Sequence, residues 1–391
     1  MRNDGPPQAS TAPRPSGPQG LPVGGGSADH ALTSVGASSL HPSEVLLGAQ
    51  AGSITLPVCD HYSGVQARML KSLALQAEMI EEFGTCVFDA TLDCEDGAPV
   101  GGELDHANMV AALIEQAQTA TKNVAKVVQR IGVRVHATSH AAFESDVHTI
   151  VKAAGQHLAY IVIPKVETVL DVQHAVQSID AAGGTHIPLH VLIESSAAVQ
   201  RAFEIAAHSR VQSISFGLMD FVSSHGGAIP AEAMGSAGQF AHPLVLRAKL
   251  EISAACHAFG KVPSHCVVTE FADPHATELA ARKASHELGY TRMWSIHPAQ
   301  IRPILAAFAP SESEIDAASK IIAAGAYADW APTSFKGQLH DRASYRYFWQ
   351  VLQRAHATGR TMPPEASVFF VAPARGVPLA GSACVPEVVT L

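Results

Sequence analysis

The chain has 391 residues and a mass of 41.0 kDa, with 47% hydrophobic and 16% charged residues. That is enough to bury one large core or two ordinary ones, and it excludes a wholly disordered chain. The 26 Lys and Arg against 35 Asp and Glu give a formal net charge of -9, which argues against the broad basic surface that phosphate-backbone binding needs.

No apolar run approaches the roughly 18 residues that span a bilayer, and Met1-Arg2-Asn3-Asp4-Gly5-Pro6 leads into no signal-peptide stretch. A cytoplasmic protein with neither membrane nor nucleic acid as partner is expected. The cysteines Cys59, Cys86, Cys94, Cys256, Cys266 and Cys384 are scattered, with no C-x-x-C pair, and read as reduced thiols, some of them small core residues.

In chain order, residues 1–44 are rich in Gly, Pro, Ser and Ala and read as a flexible tail. From 45 to about 310, short apolar runs alternate with helix-period stretches. Strands are predicted near 54–58, 85–92, 132–137, 158–164, 188–193, 211–216, 264–269 and 292–296. Helices are predicted between them, near 65–83, 103–129, 142–154, 167–182, 196–208, 242–259 and 274–288. Eight strand–helix repeats in about 260 residues fit an α/β fold of the (β/α)8 TIM-barrel type. An open dinucleotide-binding sheet is disfavoured, because no strand runs into G-x-G-x-x-G. Helices near 312–326 and 344–357 read as a C-terminal helical extension spanning 311–372, suited to packing on a neighbouring subunit, and 373–391 as an irregular tail.

A barrel builds its active site at the C-terminal ends of its strands, and the ionisable residues fall there. Strand two ends in Asp93-Cys94-Glu95-Asp96, strand three carries Arg134 and runs to His136 and His140, and strand four ends at Lys165-Val166-Glu167. Strand five ends at Glu194, strand six at Leu218-Met219-Asp220, strand seven at Glu270 and Asp273, and strand eight at His297. Asp93, Glu95 and Asp273 could equally be helix N-caps. Glu194 follows the apolar run Leu189-His190-Val191-Leu192-Ile193 and so needs a partner, a proton or a metal. Asp220, after Ile214-Ser215-Phe216-Gly217, is in the same position. Two carboxylates on neighbouring strands suit a hard cation, Mg2+ or else Mn2+, rather than structural zinc. Arg134, inside an apolar strand, needs a carboxylate or an oxyanion partner. Most of the 21 histidines read as surface residues, and neither a G-x-S-x-G elbow nor a P-loop is present.

The strings LDCEDGAP (92–99), RVHA (134–137), IPKVE (163–167), LIES (192–195), FGLMDF (216–221) and SIHPAQ (295–300) resemble the HpcH/HpaI aldolase and citrate lyase β-subunit family over about residues 50–310. The resemblance implies a barrel assembled as a homotrimer or hexamer that uses Mg2+ to cleave or form a carbon–carbon bond beside a carbonyl. Carried over residue by residue, it makes Glu194 and Asp220 the metal ligands and Arg134 the substrate arginine, with Lys165, Leu218 and Met219 beside the substrate. Glu95 and Asp96 would orient Arg134 or a metal-bound water. Gly337-Gln338-Leu339-His340-Asp341 resembles the segment that reaches a neighbour's barrel, making Asp341 an acid/base supplied in trans.

Three stretches depart from the family pattern. The first strand lacks its usual arginine, Thr291-Arg292 replaces a Gly-Lys before strand eight, and the second aspartate after strand six is missing from Asp220-Phe221-Val222-Ser223-Ser224-His225-Gly226. The expected reaction is cleavage of a malyl-, citramalyl- or citryl-type 3-hydroxyacyl thioester of CoA or acyl carrier protein into a 2-oxo acid and an acetyl thioester. The alternatives are a metal-dependent aldolase of free 4-hydroxy-2-oxo acids and a non-catalytic barrel subunit.

Overall fold

The computed structural model describes residues 40–48, 55–121 and 127–370. The tail expected over 373–391, most of that over 1–44 and Cys384 lie outside the described residues. Helix α1 (Pro42–Leu47) begins inside the stretch read as tail; its few apolar residues suffice because Leu46 is buried against the C-terminal helices.

Eight parallel strands close into a barrel in chain order, with β1 (Cys59–Ser63) paired to both β2 (Phe88–Asp93) and β8 (Arg292–Ser295). Between them run β3 (Ile131–Arg134), β4 (Leu158–Ile163), β5 (Leu189–Ile193), β6 (Val211–Phe216) and β7 (Val262–His265). The outer layer consists of α2 (Gln66–Phe83), α3 (Glu103–Thr121), α4 (Phe143–Ala154), α5 (Val169–Ala181), α6 (Ser196–Gln200), α7 (Ala202–Ala207), α8 (Leu218–Ser223), α9 (Pro243–Ala258), α10 (Pro274–Leu288) and α11 (Ile301–Phe308). Side-chain caps start α5, α6 and α10. Thr168 and Asp171 form a capping box on α5, and Asp273 caps α10 ahead of a Pro at its first position. None of the described helices is long and apolar enough to cross a membrane.

The first strand departs from expectation. It lies at Cys59–Ser63, not at 54–58, because the barrel interior it lines is charged rather than apolar. Arg292, fully buried on β8, sits 3.0 Å from Asp60 and 2.7 Å from Asp89, and Asp89 also pairs with Arg130 at 2.7 Å. Thr91 and Tyr160 donate hydrogen bonds to Asp60 at 2.6 and 3.0 Å. Burial opposes ionisation of both aspartates. For Asp89 the two arginines win and hold the carboxyl below its usual range, whereas for Asp60 burial wins and the carboxyl is pushed up. Arg292 is thus a core residue and makes no contact with the mouth. Above this layer lie Tyr62, Tyr160, Val162, Leu192 and the half-buried Trp294. Gly132 makes room for Tyr160, since a Cβ there would meet the ring at 2.1 Å.

The extension comprises α12 (Glu312–Tyr327), a hairpin of β9 (Thr333–Phe335) and β10 (Gln338–His340), α13 (Arg342–Ala357) and α14 (Pro364–Ser367). It has its own core of Ile315, Ile322, Trp330, Tyr345, Trp349 and Leu352, which Leu46 of α1 joins. Arg346 Nε donates to Leu46 O at 2.8 Å, and His41 Nε2 meets Phe369 O at 2.9 Å.

Candidate active site at the barrel mouth

Arg134 ends β3 at the C-terminal rim, and the loop after β2 closes over it. Asp93 grips the guanidinium in a two-pronged pair, Nε to Oδ1 at 2.7 Å and Nη2 to Oδ2 at 2.6 Å. Asp96 accepts from Nη2 at 2.6 Å, and Glu95 Oε2 lies 2.8 Å from Nη1. Burial works against the charge on Arg134, but these carboxylates more than offset it. The guanidinium also lies 5.5 Å from the Tyr62 ring centre and 5.6 Å from that of Trp294. The loops after β1 and β2 touch backbone to backbone, since a Cβ on Gly97 would fall 2.2 Å from both Asp93 O and Gly64 O.

Glu95 also accepts from Lys165 Nζ at 2.5 Å. Lys165 adopts the left-handed backbone region at φ 52°, uncommon for a side chain of its size, and its amide donates to Glu194 Oε2 at 3.2 Å. Glu194 sits at the end of β5, 6% exposed. Its carboxyl is pushed up to about 8 by burial first, then by the charges of Glu95 and Asp220, against the pull of Arg134 and Lys165. Its space exists only because residue 217 is glycine: a Cβ there would lie 2.4 Å from Glu194 Cγ and 2.5 Å from Oε1. Asp220 is exposed in the first turn of α8, and among the described residues no hydrogen bond or ion pair engages its carboxylate.

Of the residues expected here, the structure links Arg134, Glu95, Asp96, Lys165 and Glu194 in one contact chain, with Asp220 close enough to act on Glu194 electrostatically. Met219 is exposed beside Asp220. Leu218 opens α8 with its side chain packed in the core around the barrel, 1% exposed. Asp341 stands apart. It caps α13 by accepting from Ala343 N and Ser344 N at 3.0 and 3.2 Å, and within one chain it touches neither Glu194 nor Asp220.

Sequence reasoning left Asp93 open between a cap and a site residue, although its position at a strand end was a usable signal. It assigned no role to His136. That ring donates from Nδ1 to Asp146 Oδ2 at 2.6 Å, and the same oxygen accepts from the His136 amide at 3.1 Å.

Five carboxylates (Asp93, Glu95, Asp96, Glu194 and Asp220) face two cations, Arg134 and Lys165, so the mouth can take a further cation. The described residues hold no cluster of three or more His, Cys, Asp or Glu side chains arranged as a metal centre. A cation at Glu194 and Asp220 would therefore complete its shell with water and substrate oxygens, the manner in which Mg2+ is commonly held.

A closed parallel barrel with buried charge gathered at the C-terminal ends of its strands is the architecture of a (β/α)8 enzyme. Residues 68–298 match the HpcH/HpaI aldolase/citrate lyase family; the chain belongs to that family, and with it to the carbon–carbon lyases. An L-malyl-CoA/beta-methylmalyl-CoA lyase of Cereibacter sphaeroides is 31% identical over 246 residues, covering 58% of this chain and 76% of that one. A citrate lyase from Burkholderia xenovorans LB400, solved by crystallography, is 50% identical with a TM-score of 0.68, over 85% of this chain and 99% of that one. A Mycobacterium tuberculosis protein crystallised with magnesium, acetoacetate and coenzyme A shares the fold at 21% identity and a TM-score of 0.56, over 77% and 98% of the two chains.

Proposed function

We propose that this chain is a Mg2+-dependent lyase that cleaves a malyl-, citramalyl- or citryl-type 3-hydroxyacyl thioester into a 2-oxo acid and an acetyl thioester. The observation that carries this reading is Glu194, a buried carboxylate held over Gly217 and facing Asp220, with more negative charge around it than the neighbouring cations offset. The named substrates of the Cereibacter sphaeroides relative, malyl- and methylmalyl-CoA, point to a thioester of this kind with CoA as carrier.

In this reading Glu194 and Asp220 are the metal ligands, and the Lys165 amide fixes one Glu194 oxygen. Bound there, Mg2+ would polarise the substrate's oxygens and lower the pKa of its hydroxyl. Arg134 stabilises the oxyanion that develops on the acetyl thioester, and Glu95 holds both Arg134 and Lys165 in register. Asp96 closes the loop over Arg134, and Met219 offers an apolar wall. Asp341, supplied by a second copy of the chain in a homotrimer or hexamer, protonates the enolate carbon.

The test is release of a 2-oxo acid from malyl-CoA and citramalyl-CoA, with Mg2+ and with chelator, by the protein and by its Glu194→Ala form. Turnover that requires both Mg2+ and Glu194 supports the reading; turnover by a folded Glu194→Ala protein overturns the metal assignment. Arg134→Lys, which cannot reproduce the two-pronged grip of Asp93, is expected to lower kcat by roughly 10²- to 10³-fold.

A further inference from the structure

Arg134 has little left to give a substrate. Of its five N–H groups, three donate to Asp93 and Asp96, and Nη1 is paired with Glu95. A substrate carboxylate could meet it through Nη1 alone, not in the usual two-pronged fashion. Lys165 is similarly drawn onto Glu95. A site that must hold an anionic oxo acid therefore needs another donor at the rim.

His136 stands two residues beyond Arg134, past the end of β3. Asp146 on α4 is fully buried and anchors both the His136 amide and Nδ1, which fixes the ring and leaves Nε2 open, a donor when the ring is protonated. Among the described residues nothing hydrogen-bonds to Nε2. The ring is stacked on His140, centres 4.4 Å apart and planes 15° off parallel, and only 6% of the residue is exposed. A nearly enclosed imidazole held by a buried carboxylate is a rigid donor of the kind that orients substrates.

We propose that His136, held by Asp146, is a substrate-positioning residue whose Nε2–H, present on the protonated ring, donates to the carboxylate of the 2-oxo acid portion, a group that Arg134, with one N–H left for the developing oxyanion, cannot also hold. This rests on the lyase reading above. The hydrogen bond to Asp146 raises the pKa of His136 against the effect of burial, aided by the charges of Glu95 on the loop after β2 and Glu103 on α3. These groups, with the stacked His140, are what face the ring, and the carboxylates among them favour its protonated form.

The test compares His136→Asn and Asp146→Asn with the unmodified enzyme. For His136→Asn, KM for malyl-CoA or citramalyl-CoA is expected to rise roughly 10- to 100-fold, the loss of a hydrogen bond to a charged group, with a smaller effect on kcat. Asp146→Asn is expected to move the rise of KM with pH to lower pH, because the ring loses its charged anchor. Unchanged KM in a folded His136→Asn protein, or a lowered melting temperature with kinetics intact, would overturn the proposal and leave the pair a purely structural one. A separate readout is the ring proton resonance of His136 by NMR, titrated with pyruvate or glyoxylate with and without Mg2+. A shift lost in Asp146→Asn supports the role, and no shift counts against it. An enzyme without any turnover but with this shift would undo the lyase reading and spare the His136 assignment.

Discussion

Glu194 and Gly217 occupy one space: the carboxylate at the end of β5 fills the volume that a side chain at the end of β6 would take. Gly217 has an ordinary backbone, φ -86° and ψ 84°, so alanine at this position is opposed by contact and not by conformation. Gly217→Ala is expected to push Glu194 aside, lowering Mg2+-dependent turnover by roughly 10²-fold or more, as for loss of a preorganised charge, while the circular dichroism spectrum stays native. Full activity in Gly217→Ala would mean that the Glu194 position does not matter.

Glu194 also sets a pH dependence. Its folded pKa, pushed up to about 8, lies above the ordinary carboxylate range, so its contribution to stability is complete at acid pH and is lost as pH rises through 8. Metal binding must displace that proton, so Mg2+ affinity is expected to rise by about tenfold per pH unit below 8 and then level off. Isothermal titration from pH 6 to 9 reads this slope. Glu194→Gln, which cannot ionise, is expected to flatten it, abolish turnover and raise the melting temperature of the metal-free protein at pH 9.

Arg292 holds two buried aspartates at once. Among the described residues, Arg292→Met would leave Asp89 paired with Arg130 alone and Asp60 with no cation, and breaking a buried pair of this kind costs about 3–5 kcal/mol. Urea unfolding at pH 7 is expected to show that loss. A smaller loss at pH 4 than at pH 7 would follow, since protonating Asp60 relieves the uncompensated charge. A change below about 1 kcal/mol, within the range of an ordinary surface substitution, would show that the network adds little to stability.

Asp341 offers a test of assembly. Asparagine caps helices about as well as aspartate, so Asp341→Asn should keep α13 and the melting temperature while losing turnover. Mixed oligomers of Asp341→Asn and Glu194→Ala chains, unfolded and refolded together, are expected to regain part of the activity, because some sites then combine an intact Glu194 with a neighbour's intact Asp341. Full activity of Asp341→Asn by itself would remove Asp341 from the mechanism.

Much of the fold could be read from period and spacing, because β3 to β6 are built largely of buried Val, Ile, Leu and Phe, and α12 and α13 carry clear amphipathic repeats. The first strand could not. Cys59-Asp60-His61-Tyr62-Ser63 looks like a polar loop after the apolar Ile54-Thr55-Leu56-Pro57-Val58, and the partners that let Asp60 be buried, Thr91, Tyr160 and Arg292, lie far along the chain. The same applies at the mouth. Arg134, Glu95 and Glu194 stand at strand ends where a barrel concentrates chemistry, whereas the partnership of His136 with Asp146 depends on how α4 folds back and leaves no periodic signal.

The contact between His41 and Phe369, 328 residues apart, bears on how the protein is made. Helix α1 has six residues, too few to persist by itself in water, and its packing partners Trp349 and Arg346 belong to α13. At about 5–20 residues per second of synthesis, a nascent chain would carry this segment exposed for tens of seconds after it leaves the ribosome, until α13 emerges. The barrel can close during translation, whereas the docking of α1 is among the last events and the one most open to interception by a chaperone or a protease.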